Sequence, residues 1–327
     1  MSIDIRIGLV GFGEVGQILA GDLARAGVRQ LIAWDVLFTD GSSIPSQALR
    51  SNEVSAAADA PSAVRGAQLV ISAVTAAQGA DAACSAVPGL ERGAFYLDLN
   101  SVSPEMKQEV ARIVAASGAR YVEAAVMSPI GPKRIASPIL LGGPHAVEFL
   151  EFGRLLGFTG ARVFSHEVGK ASAAKMCRSV MVKGMEALVT ESLLTARRHG
   201  VEATVLASLQ DLFPAADWRK LAQYMISRSL IHGRRRAEEM REVAQTVNNV
   251  GLAPHMSAAC AARQDWAAQF RSFADAATLE SMLDSILKAL PPSCPSAGHD
   301  ARVLRAHGSA EAAPAAAGEG TRAGQSR

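Results

Sequence analysis

Net charge is nearly absent: 33 Lys and Arg stand against 31 Asp and Glu, leaving +2 over 327 residues. So close a balance implies no field that would draw nucleic acid or an anionic membrane surface. No apolar run reaches the ~18 residues a spanning helix needs. A strand pattern begins at Ile5, and no room is expected ahead of it for a secretory leader. Cysteine is scarce: Cys84, Cys177, Cys260 and Cys294 show no paired spacing and match no zinc pattern. They read as reduced thiols of a cytoplasmic protein, Cys177 as a small core residue, and no metal site is expected. No internal repeat is evident.

What the chain does have is concentrated at its start. Ile5, Ile7, Leu9 and Val10 read as a buried parallel strand. The strand runs into Gly11-Phe12-Gly13-Glu14-Val15-Gly16, and a helical pattern follows at once through Ile18, Leu19 and Leu23. Gly11 allows the tight turn, Gly13 lets a pyrophosphate approach the backbone, and Gly16 lets helix pack on strand. Glu14 and Val15 begin the helix, whose N-terminal N–H groups and partial positive charge suit phosphate. A second strand, 31–34, stops at Asp35, 19 residues after Gly16, where a ribose-binding acid is expected. This pattern predicts a dinucleotide site. Asp35 would repel a 2′-phosphate, and Val36–Asp40 supplies no cation to hold one, so NAD is expected rather than NADP.

Further apolar runs at 68–74, 94–99, 120–126, 137–141 and 161–164 alternate with helical stretches at 80–87, 103–117 and 146–156. Such alternation describes a doubly wound parallel sheet. Val74 and Thr75 fall at the C-terminal end of one strand, where ligands lie in open sheets. From about Val168 strand signals cease. Helices are expected at 169–199, 203–212, 218–228, 233–248, 253–270 and 276–290. The fold class is therefore α/β, a Rossmann-type parallel sheet followed by an all-α domain. Its expected parts are residues 1–166, 167–290 and a disordered tail, 291–327, that lacks a periodic apolar face.

Lys175 lies among Ala171, Ala174 and Met176, surroundings that would depress a lysine pKa toward acid/base use. Spacing alone favours an ordinary solvated helix lysine. His232, Arg234, Arg235 and Arg236 would stand at the start of the helix beginning near residue 233, unfavourably for its dipole. They suggest an anionic ligand, or a solvated face with pairs such as Arg235–Glu239.

The chain resembles the β-hydroxyacid dehydrogenase superfamily, relatives of 6-phosphogluconate and 3-hydroxyisobutyrate dehydrogenases. The likeness rests on the opening glycine loop and on Gly169 and Lys175, which fit the motif that begins the family's interdomain helix. Glu123-Ala-Ala-Val126-Met-Ser128-Pro-Ile-Gly131 is similar to the substrate loop, and Asp98-Leu-Asn100-Ser101 to the Asp-x-Ser-Thr stretch. Arg178 and Ser179 replace the paired asparagines, and Pro129 stands where the family places a glycine. The run 231–240 resembles a subgroup with its own, poorly characterised helical domain. The resemblance implies Lys175 as general acid/base, Asn100, Ser128, Arg178 and His232 on the substrate, and cofactor contacts from Val74, Thr75 and Asn100. It implies hydride transfer between NAD and a small β-hydroxy acid, in a homodimer paired through the helical half. Two rivals remain: an imine reductase on this fold, and an NADH-binding sensor without turnover.

Overall fold

The computed structural model describes residues 3–50, 54–214 and 216–290. Contacts divide the chain into Met1–Leu287 and Lys288–Arg327. The tail expected to be disordered, 291–327, lies outside the described residues.

In the first unit the described strands form one sheet: β1 (Ile3–Val10), β2 (Val28–Trp34), β3 (Ser55–Ala56), β4 (Leu69–Ser72), β5 (Phe95–Asp98), β6 (Arg120–Val126), β7 (Ile139–Gly142) and β8 (Ala161–Ser165). The interleaved helices are α1 (Glu14–Arg25), α2 (Ile44–Leu49), α3 (Ala60–Val64), α4 (Gly79–Ala86), α5 (Pro104–Ala115), α6 (Ile130–Lys133) and α7 (Ala146–Leu155). Strand order is β3-β2-β1-β4-β5-β6-β7-β8. Neighbours pair in parallel from β3 to β6, and β7 runs antiparallel to β6. The reversal follows from the 127–138 connection, which holds the single turn of α6 and no crossover helix.

Alternate strand residues feed opposite faces of the sheet. Ile7, Leu9, Leu69, Ile71 and Leu97 pack with Leu19 and Leu23 of α1 and Phe149 of α7. Val10, Val70 and Tyr96 pack with Val110 and Val114 of α5 and the alanines of α4. With both faces covered, the strand sequences are near-continuous apolar runs.

The helical half contains α8 (Lys170–Arg198), α9 (Glu202–Leu212), α10 (Trp218–Asn249), α11 (His255–Ala267) and α12 (Leu279–Ala289). One expectation fails here: the break between 228 and 233 does not exist, and α10 runs through it for 32 residues. Gly233 marks a close crossing instead, because a Cβ there would lie 2.3 Å from the Gln264 carbonyl oxygen of α11. His232 and its neighbours therefore sit in mid-helix, where the dipole penalty assumed for a helix start does not apply. No helix among the described residues is long and apolar enough to cross a membrane.

Candidate active site

The glycine loop is built as its spacing requires. Gly11 has φ +94°, and a Cβ on it would stand 2.4 Å from the Ala73 carbonyl oxygen. At Gly16 a Cβ would meet the Gly11 carbonyl oxygen at 2.4 Å, whereas at Gly13 it would meet nothing within 4 Å. Two glycines are thus forced by protein contacts, and the third leaves an open face. Gly13 caps α1, and no side chain caps the first turn, so the N–H groups of that turn remain available to a phosphate. Asp35 braces the loop from β2: one carboxylate oxygen accepts from Phe12 N–H (2.7 Å) and the other from Leu37 N–H (2.9 Å). Each oxygen keeps lone-pair capacity for a ribose hydroxyl. The residues fit a dinucleotide.

Beside the loop, the exits of β4 and β5 are tied together. Asn100, buried, accepts from Val74 N–H (2.7 Å) and donates to Ser72 Oγ (3.0 Å). Its amide therefore shapes the cofactor edge of the sheet through Val74, with both functional ends already in use. Asp98 anchors this turn. It pairs with buried Lys107 at 2.9 Å, accepts from Tyr121 Oη (2.8 Å) and accepts from the Asn100 N–H (2.9 Å). Thr75 lies on the exposed start of the following 3₁₀ turn, Ala76–Gln78.

The third component arrives with α8. Gly169, at φ +100°, turns the chain into the helix. The fully buried Glu123 of β6 caps it, accepting from Gly169 N–H (2.7 Å) and Ser172 N–H (2.6 Å). Burial pushes the Glu123 carboxyl above its ordinary range, while Lys107 and the two N–H groups pull it back. Ser172 Oγ also donates to the Val102 carbonyl, fastening α8 to the β5 exit. This places Lys175 so that its Nζ donates to Ser101 Oγ at 2.5 Å. Desolvation lowers the Lys175 ammonium to about 8, Glu239 resists, and Lys183, Lys107 and Arg235 add to the depression.

Helix α10 closes the far side. Glu242 accepts from Ser103 N–H (2.8 Å), and Glu239 pairs with Lys183 of α8 and with Arg235 (3.4 Å). Burial opposes ionisation of Glu239, yet Lys183, Arg235 and Lys175 hold its carboxyl down at about 2. Arg236 turns inward to pair with buried Glu186. His232 feels the charge of Glu14 in the glycine loop. Ser128 donates to the Pro129 carbonyl (3.2 Å), and the neighbouring Met127 packs against Ala171 and Ala174 of α8. Arg178 is exposed one turn beyond Lys175. Cys177 is exposed as well, not the core residue expected. It follows Met176 out of the buried stripe, and one residue along a helix changes the face.

Sequence reasoning did not single out Ser101, Lys183 or Glu239 as site residues. Ser101 had a signal, its place beside Asn100 in the β5-exit motif. Lys183 and Glu239 had none, since they are 56 residues apart and meet only in the packed helices.

Residues 6–167 match the NAD binding domain of 6-phosphogluconate dehydrogenase, and residues 196–267 match a domain of unknown function (DUF1932). A conserved hypothetical protein of known structure from Sinorhizobium meliloti is 36% identical, with a TM-score of 0.66, over 88% of this chain and 98% of that one. A conserved protein of unknown function, described as structurally similar to 3-hydroxyacid dehydrogenases, is 30% identical at a TM-score of 0.63, over 88% and 100%. Human mitochondrial 3-hydroxyisobutyrate dehydrogenase is 26% identical over 214 residues, 65% of this chain and 63% of that enzyme. The chain thus spans less than two thirds of the human enzyme's length. With the nucleotide half, the helical half and the fold all matched, this chain belongs to the β-hydroxyacid dehydrogenase superfamily, in a subgroup with its own C-terminal helical domain.

Proposed function

We propose that the protein is an NAD-dependent dehydrogenase of a small β-hydroxy acid, with Lys175 exchanging the hydroxyl proton. The observation that carries this reading is the Lys175 ammonium, depressed to about 8 and hydrogen-bonded to Ser101 at the exit of β5. Such a group changes protonation near neutral pH, which proton exchange requires.

Gly11, Gly13, Asp35 and the backbone of Glu14, Val15 and Gly16 would hold the dinucleotide, with the Val74–Thr75 backbone beside its nicotinamide end. The nicotinamide supplies a hydride acceptor or donor. Neutral Lys175 takes the proton of the substrate hydroxyl at Nζ, and the charged form returns it when a carbonyl is reduced. Ser101 holds Nζ in line, and Glu239 keeps the pKa from falling further. Ser128 and Arg178 would receive the acid group. Asn100 acts through Val74 and Ser72, orienting the sheet edge. Asp35 supports NAD over NADP, because a 2′-phosphate would meet a carboxylate already fixed by two backbone N–H groups.

A panel of small β-hydroxy acids, assayed in parallel with NAD and NADP by nicotinamide absorbance, tests the assignment. Turnover on at least one acid, faster with NAD, is expected. Cyclic imines belong in the same screen. Turnover on imines alone would replace the reading with imine reduction, and tight NADH binding with no turnover would favour a sensor.

Pairing into a homodimer belongs to the same reading. Met181, Met185 and Leu188 line one face of α8 and are 65%, 37% and 57% exposed, an apolar strip of the kind a second copy covers. Light scattering is expected to give twice the chain mass, and a monomer at working concentration would remove this part.

A further inference from the structure

A dinucleotide brings a diphosphate dianion, yet the glycine loop opposes it with backbone N–H groups and no cation. Glu14 within the loop and Asp35, which accepts from Phe12 N–H, are both acidic. Compensation must come from another element, and α10 supplies it. Arg228, His232, Arg235, Glu239 and Glu242 recur at spacings of four, three, four and three residues, so they line one stripe of the helix. The C-terminal part of that stripe is docked at the β5 exit, where Glu242 holds Ser103 and Glu239 lies near Lys175. Helix α10 also packs on the Ala76–Gln78 turn after β4. The part that holds His232 continues toward the loop after β1, and His232 interacts electrostatically with Glu14 of that loop. The dimensions agree: the seven residues from Glu239 back to His232 rise roughly 10 Å, and β5 lies two strand spacings, also roughly 10 Å, from β1.

The charges on this part of the stripe are not all paired among the described residues. Arg235 has Glu239 as its partner, whereas Arg228 forms no ion pair among the described residues and its buried Nε has no hydrogen-bond partner. We propose that Arg228 and His232 of α10 form the far wall of the dinucleotide site and donate hydrogen bonds to the cofactor diphosphate, opposite the N-terminus of α1. Burial and the charges of Arg228 and Arg235 hold the His232 imidazole down at about 4, with only Glu14 raising it. The inference rests on the reading of the glycine loop as a nicotinamide-dinucleotide site and is independent of Lys175.

Arg228→Gln and Arg228→Lys in the full chain, titrated with NADH by fluorescence and with ADP-ribose by competition, test it. ADP-ribose carries the diphosphate without the nicotinamide. Loss of a charged hydrogen bond is expected to weaken both ligands about tenfold or more in Arg228→Gln. Arg228→Lys, which keeps charge but not the guanidinium fork, should fall between. Circular dichroism melting identifies a variant that fails to fold, and the lysine variant then carries the test. Unchanged affinity for both ligands in folded variants overturns the inference alone. Weakened NADH with unchanged ADP-ribose also overturns it, because Arg228 would then act at the nicotinamide end or on substrate. A wild-type chain that binds neither ligand overturns the dinucleotide reading as well.

Discussion

Lys175→Met is expected to lower turnover by about 10²–10⁴-fold, the contribution of one positioned acid/base, while NADH still binds. Methionine keeps the length and apolar stem of lysine, so the packing of α8 against the sheet changes little. What is lost is the proton carrier at Nζ, 2.5 Å from Ser101 Oγ. The pH dependence has a definite sign. Oxidation needs neutral lysine, so the wild-type rate should rise with pH through an apparent pKa of about 8. Reduction needs the ammonium and should fall over the same interval. Lys175→Arg, charged at every accessible pH, should show neither limb. Steady-state rates from pH 6 to 10 decide the matter. A Lys175→Met enzyme with wild-type turnover and an unchanged profile would remove lysine from the chemistry.

Glu123→Ala is expected to destabilise the fold by about 3–5 kcal/mol. The carboxylate is fully buried and satisfies two backbone N–H groups at the start of α8, at 2.7 and 2.6 Å. Alanine leaves both donors buried without acceptors, beside a Lys107 that has lost part of its compensation. Gly142 packs directly on the carboxylate: a Cβ there would be 2.4 Å from Glu123 Oε2. Urea unfolding of wild type and variant measures the difference, and a loss below about 1 kcal/mol would mean that the cap contributes no more than an exposed one. Activity should fall as well, since the capped turn sets where Lys175 meets Ser101.

The two predictions differ in how much of their basis could be read from the chain. The glycine loop and Asp35 lie within a local strand–turn–helix pattern that suggests their task. Spacing alone left Lys175 an ordinary helix lysine, and only the family resemblance singled it out. The substrate loop resembled its family counterpart at Glu123, but nothing local shows that this carboxylate caps a helix beginning 46 residues later. Gly233 misled for a related reason. Along the sequence it reads as a helix boundary, whereas in the fold it makes room for a carbonyl of α11. The reversed β7 was also illegible, because a buried strand carries the same apolar run in either direction.

Local order thus came from the amino-acid sequence alone: which stretches are strands, where the nucleotide loop turns, where the long helix α8 begins. These follow from backbone conformation and the periodicity of burial, both short-range. Only the tertiary structure decided charge: which groups set the depression of Lys175, that Glu239 and Lys183 share its surroundings, that Arg228 forms no ion pair among the described residues. Electrostatic energy depends on distance and desolvation between groups remote in the chain, and those quantities exist only once the helices have packed.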